Sequence, residues 1–164
     1  MTKRIVTRIG DVFCVEVDDN YKCYFQYIAK DMESLNSSTI RVFKTKYPLE
    51  YEPVIDEIVN DGVSFYSHTV LRWGINDNIW YKVGKSCRLG DFDNILFGCT
   101  NDDRFENDSP FVSSDWWVWR LGQEAFKVGR LKGIYKNVEM GDVFPYTEIL
   151  ERIRTGKYAA KFPL

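Results

Sequence analysis

The sequence predicts an α+β fold: a mostly antiparallel, strongly twisted or partly closed β-sheet with two short helices. Three observations lead there. Aromatic residues make up 16% of the 164 positions, with 11 Phe, 10 Tyr and 5 Trp, and large aromatics favour half-buried pleated surfaces. Short runs of alternating apolar residues recur between polar turns from Val12 to Tyr135. Only two segments, one after Pro53 and one after Phe144, carry apolar residues at helical spacing. No linker or low-complexity run divides the chain, so residues 1–164 are expected to form one domain.

The first strand is Val12 to Val17, and the second runs from Tyr21 to Ile28. Between them Asp18-Asp19-Asn20 is a turn signal. A three-residue loop pairs Val17 with Tyr21, Val15 with Cys23 and Phe13 with Phe25. That register puts apolar residues on one face, whereas a one-residue slip opposes them to Lys22 and Gln26. Asn20 can take the left-handed conformation such a loop needs. A third strand lies within Ser37 to Lys46. Pro53 suits the first turn of a helix bearing Val54, Ile55, Ile58 and Val59, and Gly62 can close it.

Val63 to Trp73 reads as one long strand, turned at Gly74 to Asn78 and returned by Ile79 to Val83. On that reading Trp73 and Trp80 face each other across a hairpin. Asp93 to Cys99 holds a short strand. Thr100 to Pro110 is an exposed polar loop. Asp115 to Leu121 is a tryptophan strand, partnered by Arg130 to Tyr135. The last helix carries Tyr146, Ile149, Leu150 and Ile153, with Asp142 as its cap and Gly156 as its stop. Gly-Asp-Val-Phe occurs at 10–13 and again at 141–144, as strand in the first case and helix entry in the second.

A net charge of −2 from 22 basic and 24 acidic residues leaves no nucleic-acid footprint. A mean hydropathy of −0.34, with no long apolar run, argues against a membrane helix. The N-terminal stretch has no apolar core of a signal peptide, so a cytoplasmic location is expected. Cys14, Cys23, Cys87 and Cys99 form no CxxC pair, and they read as reduced thiols rather than zinc ligands. His68 is the one histidine, which excludes multi-histidine metal sites and leaves few nucleophile–base schemes. No metal or cofactor is expected. Asp91 with Asp93, and Asp102 with Asp103, have the residue types for acid–base or cation chemistry. They also fit solvated turns.

The most conspicuous stretch is Ser-Asp-Trp-Trp-Val-Trp-Arg-Leu-Gly, with Trp116, Trp117 and Trp119 ahead of Arg120. On a strand, Trp117 and Trp119 share one face and Trp116, Val118 and Arg120 the other. Two readings stand: a central strand packed on both sides, or one face opened to a partner, since Trp and Arg are favoured anchors. Arg120 is the sharper clue, although Asp115 or Glu124 can pair with it. The acidic stretch holding Asp102, Asp103, Glu106 and Asp108 can steer a basic partner or simply be solvated.

The segment from Arg8 to Asp31, with Gly10-Asp11-Val12-Phe13 and the aromatic strand Tyr21 to Tyr27, resembles the start of immunity protein family twenty-six. That is a family of bacterial polymorphic-toxin immunity proteins. Asp18-Asp19-Asn20 replaces the family's usual glycine-containing turn. The resemblance implies a small cytoplasmic α+β protein that binds and neutralises a cognate toxin protein. Relatives are also labelled as small phosphotriesterases, which implies a hydrolase as the alternative. Gly10, Asp11 and Phe13 carry over as structural positions: Gly10 for a tight bend, Asp11 as an acceptor for nearby backbone N–H groups.

Overall fold

The computed structural model describes residues 4–102 and 111–164. The fold is α+β, built from a six-stranded and a four-stranded sheet, mostly antiparallel, neither closed into a barrel. The larger sheet contains β1 (Asp11–Glu16), β2 (Lys22–Asp31), β3 (Ser37–Phe43), β4 (Val63–Thr69), β5 (Trp80–Lys85) and β10 (Val143–Phe144). Its order is β10-β4-β3-β2-β1-β5. The smaller contains β6 (Phe97–Thr100), β7 (Trp116–Trp119), β8 (Phe126–Gly129) and β9 (Glu139–Met140), in the order β8-β7-β6-β9. The helices are α1 (Ile55–Val59), α2 (Leu71–Asn76) and α3 (Tyr146–Thr155). None is long and apolar enough to cross a membrane among the described residues.

The β1–β2 hairpin has the expected register, with Val15 opposite Cys23 and Phe13 opposite Phe25. Val17 N–H donates to Tyr21 O at 3.2 Å. Asn20 does not take the left-handed conformation; Asn36 (φ 46°) and Asn78 (φ 56°) do. The loop closes through the Asp18 carboxylate, which accepts from Asn20 N–H at 2.7 Å, the local side-chain turn that Asp favours. Gly10 has φ 102°, open to glycine and costly for other residues. Asp11 accepts from Arg8 N–H at 2.8 Å and pairs with Lys82 at 2.8 Å.

The hairpin is central because both of its faces are apolar. One face sends Phe13, Val15, Phe25 and Tyr27 into a core with Ile40, Val42, Phe65 and Ile149 of α3. The other sends Val12, Cys14 and Tyr24 against Ile58 and Val59 of α1. Cys14 and Cys23 therefore sit in different cores, and all four cysteines are free thiols. Burial raises the Cys14 and Cys23 thiol pKa values, the latter to about 11, which keeps them protonated and inert near neutrality.

Five expectations are corrected. The long strand from Val63 to Trp73 ends at Thr69, and Leu71 to Asn76 is a third helix. Beyond Thr69 the chain has no sheet partner to continue with. Thr69 Oγ1 donates to Phe144 O at 2.7 Å where β10 joins β4. Trp73 and Trp80 consequently do not stack: Trp80 is 1% exposed in the core, and Trp73 is 52% exposed on α2. The partner of the tryptophan strand is β8, not Arg130 to Tyr135; Gln123 N–H donates to Arg120 O at 3.0 Å, which turns the chain earlier. The second Gly-Asp-Val-Phe is not helix entry, since Val143 and Phe144 form β10. Asp142 accepts from Val143 N–H at 2.8 Å instead of capping α3, which begins after Pro145. Gly156, at φ 83°, stops α3 as expected.

Candidate functional site

Strand β7 lies between β6 and β8, so alternate residues face opposite sides. Trp116 and Val118 are buried on one side and Trp119 on the other; Trp117 and Arg120 are half-buried. Trp116 Nε1 donates to Leu164 O at 3.3 Å. Asp115 pairs with Lys127 at 2.7 Å rather than with Arg120. Trp116 and Trp119 thus meet protein, not solvent, and of the four anchor residues only Trp117 and Arg120 reach the surface. Asp102 N–H donates to Thr100 Oγ1 at 3.1 Å. Asp103, Glu106 and Asp108 lie outside the described residues. Asp91 accepts from Asp93 N–H at 3.2 Å, a solvated local turn.

Trp119 instead joins the two sheets. Its Nε1 donates to Asp31 Oδ2 of β2 at 2.7 Å, and the same oxygen lies 2.9 Å from His68 Nε2 of β4. Asp31 and His68 are fully buried. The imidazole meets the Phe97 ring edge-on with centroids 4.5 Å apart. A carboxylate can only accept, so Nε2 carries the proton in this contact. Nδ1 has no partner among the described residues, and a second proton there would be an unsatisfied buried donor. Burial drives the His68 pKa below its ordinary value, against the opposing pull of Asp31. Geometry and desolvation agree on a neutral imidazole.

This fixes the sign of a pH effect. The unfolded histidine takes a proton below about pH 6.5, and folded His68 resists it. Stability from this group is complete above that value and falls as the pH drops toward the lower folded value. Urea midpoints measured from pH 7.5 to 5.5 should decline for wild type and decline less for His68→Gln. Equal slopes would count against the buried neutral imidazole.

An Asp–His pair is also the orienting half of many hydrolytic sites. Here both side chains are fully buried, and the imidazole lies against the rings of Phe97 and Trp119. Among the described residues no three His, Cys, Asp or Glu side chains converge as a metal would require.

A second buried polar group stands on the same face of the sheet. Arg41 is 4% exposed and faces neutral partners: its Nε donates to Gln26 Oε1 at 2.9 Å, and a terminal nitrogen donates to Arg88 O at 2.9 Å. Gln26 Nε2 donates onward to Ser86 O at 3.1 Å and Gly10 O at 3.2 Å. The network pins the segment after β5 against the sheet, and burial lowers the Arg41 pKa.

What reaches solvent as a chemically distinct surface lies elsewhere. Segment 47–57 carries Glu50, Glu52, Asp56 and Glu57 and no basic residue. Leu49 and Val54 are exposed within it. Tyr47 and Tyr51 stack at 4.1 Å, and Tyr51 Oη donates to Glu57 at 2.9 Å, which stiffens the segment. Arg88 pairs with Asp56 at 3.1 Å at one margin. Helical spacing marked Val54, Ile55, Ile58 and Val59 as packing residues; the missed signal was four acids without a base beside Leu49 and Val54.

The scan against protein-family models, the search of curated proteins and the search of solved structures each found no match for this chain.

Proposed function

We propose that this protein acts by occupying a protein partner, in the manner of an immunity protein that neutralises a toxin in the cytoplasm. The observation that carries this reading is the surface at 47–57, which combines exposed apolar side chains, a stiffened aromatic pair and a local excess of acid. Such surfaces suit basic partners: charge guides encounter, and desolvated apolar contacts slow dissociation. Toxins directed at nucleic acids carry basic surfaces because they hold phosphates. The resemblance of residues 8–31 to an immunity family points the same way. The hydrolase alternative finds less support, since His68 is enclosed by protein.

The first test is whether a toxin-module gene lies immediately upstream of this chain's gene, and the second uses the protein that it encodes. Wild type should bind it and restore growth to cells expressing it. Glu50→Lys combined with Glu52→Lys should slow association several-fold at low salt, and the effect should shrink at high salt. Leu49→Ala should speed dissociation, by about 2 kcal/mol of affinity if it is an anchor. Unchanged binding in all these variants removes segment 47–57 from the reading. Absence of binding by wild type, with hydrolysis of a phosphotriester by the same preparation, replaces the reading altogether.

A further inference from the structure

A cleft of about 840 Å³ opens between β9 and the segment that follows α3. Its volume falls in the range typical of small-molecule sites. Val138 and Met140 form one wall, and Phe162 and Leu164 another. Arg152 also lines it, and its guanidinium is held in place: it lies 4.2 Å from the Phe65 ring centroid and 4.8 Å from that of Tyr158, with one nitrogen 2.8 Å from Glu139. Tyr158 is itself fixed, donating to Ser67 Oγ at 2.8 Å and stacking on Phe144 at 3.8 Å. Lys157 and Lys161 are exposed at the rim. The lining therefore holds three basic side chains against the single acid Glu139.

A guanidinium whose orientation is set before a ligand arrives, beside an apolar wall, has the geometry that anion recognition needs. Glu139 pairs with Arg152, and the exposed Lys157 adds a positive charge at the rim. We propose that this cleft binds an amphipathic organic anion, its apolar chain or ring along Met140, Val138 and Phe162 and its carboxylate, sulfonate or phosphate head toward Arg152 and Lys157. The site is separate from segment 47–57 and does not depend on a protein partner.

The probe is 1-anilinonaphthalene-8-sulfonate, followed by fluorescence and displaced by decanoate or by decanol, which has the same chain without the charge. Wild type should show one saturable site, emptied by decanoate at concentrations at least about tenfold below those of decanol, the ratio one charge-assisted contact supplies. Lys157→Glu, on the surface, should weaken decanoate several-fold and leave decanol unchanged. Ala160→Trp, which projects a ring into the cleft, should abolish probe binding with the urea midpoint retained. No saturable binding, equal displacement by the two competitors, or undiminished binding in a folded Ala160→Trp protein each overturns the proposal. If Ala160→Trp does not fold, Lys157→Glu and the competitor pair decide it.

Discussion

Asp31→Ala should lower the stability of this protein by about 2–5 kcal/mol, the scale for leaving two buried donors unsatisfied at about 1–3 kcal/mol each. The side chain is fully buried, and its Oδ2 accepts from both Trp119 Nε1 and His68 Nε2. Alanine strands two donors where water cannot reach them, so the loss exceeds that of one ordinary hydrogen bond. It also cuts a polar tie between the sheets, because Trp119 belongs to the smaller sheet and Asp31 and His68 to the larger. Asp31→Asn should cost less, since the amide oxygen can still accept. Trp119→Phe removes one donor and keeps most of the ring. A double-mutant cycle of Asp31→Ala with Trp119→Phe should therefore show coupling of about 0.5–3 kcal/mol. Urea unfolding followed by tryptophan fluorescence supplies the numbers. An Asp31→Ala protein within about 0.5 kcal/mol of wild type would mean the cluster is better solvated than its burial indicates.

That cluster was not legible in the sequence, and the reason is distance along the chain. Asp31 and His68 are 37 residues apart, and Asp31 and Trp119 are 88 apart. No periodicity or local motif links such positions. The hairpin of β1 and β2 was legible because its information is local: the turn residues and the alternation on both sides agree on one register. The α3 helix was legible for the same reason, with its stripe and Gly156 adjacent in sequence. The tryptophan strand was legible as a strand but not by its role. Alternation assigns residues to two sides, yet burial depends on what each side meets: the other sheet under Trp119, and the segment ending at Leu164 over Trp116. The acidic surface at 47–57 was present in composition and was passed over because helical spacing assigns Val54, Ile55, Ile58 and Val59 to packing and says nothing of the acids around them.

Trp80→Ala should cost about 3–5 kcal/mol, while Trp73→Ala should change stability by no more than about 0.5 kcal/mol. Alternation makes these two residues look equivalent, as facing members of one hairpin. In the fold Trp80 is inside β5, with its ring edge-on to Phe25 at 5.1 Å and to Tyr146 at 6.3 Å. Its Nε1 donates to Leu71 O at 2.9 Å, at the start of α2. The Trp80 ring also lies where a Cβ on Gly74 would stand, so α2 docks only with glycine there. Removing the ring opens a cavity, frees a carbonyl and loses the surface on which α2 rests. Trp73 points away from that contact on the same helix and is largely exposed. Gly74→Ala supplies an independent arm: it should destabilise by about 1–3 kcal/mol through overpacking in wild type and by clearly less in the Trp80→Ala background, where the clash is gone. Urea midpoints of the four proteins give the answer. Additive losses would show that Gly74 and Trp80 do not meet, and would return the segment after Thr69 to the extended hairpin that its alternation suggests.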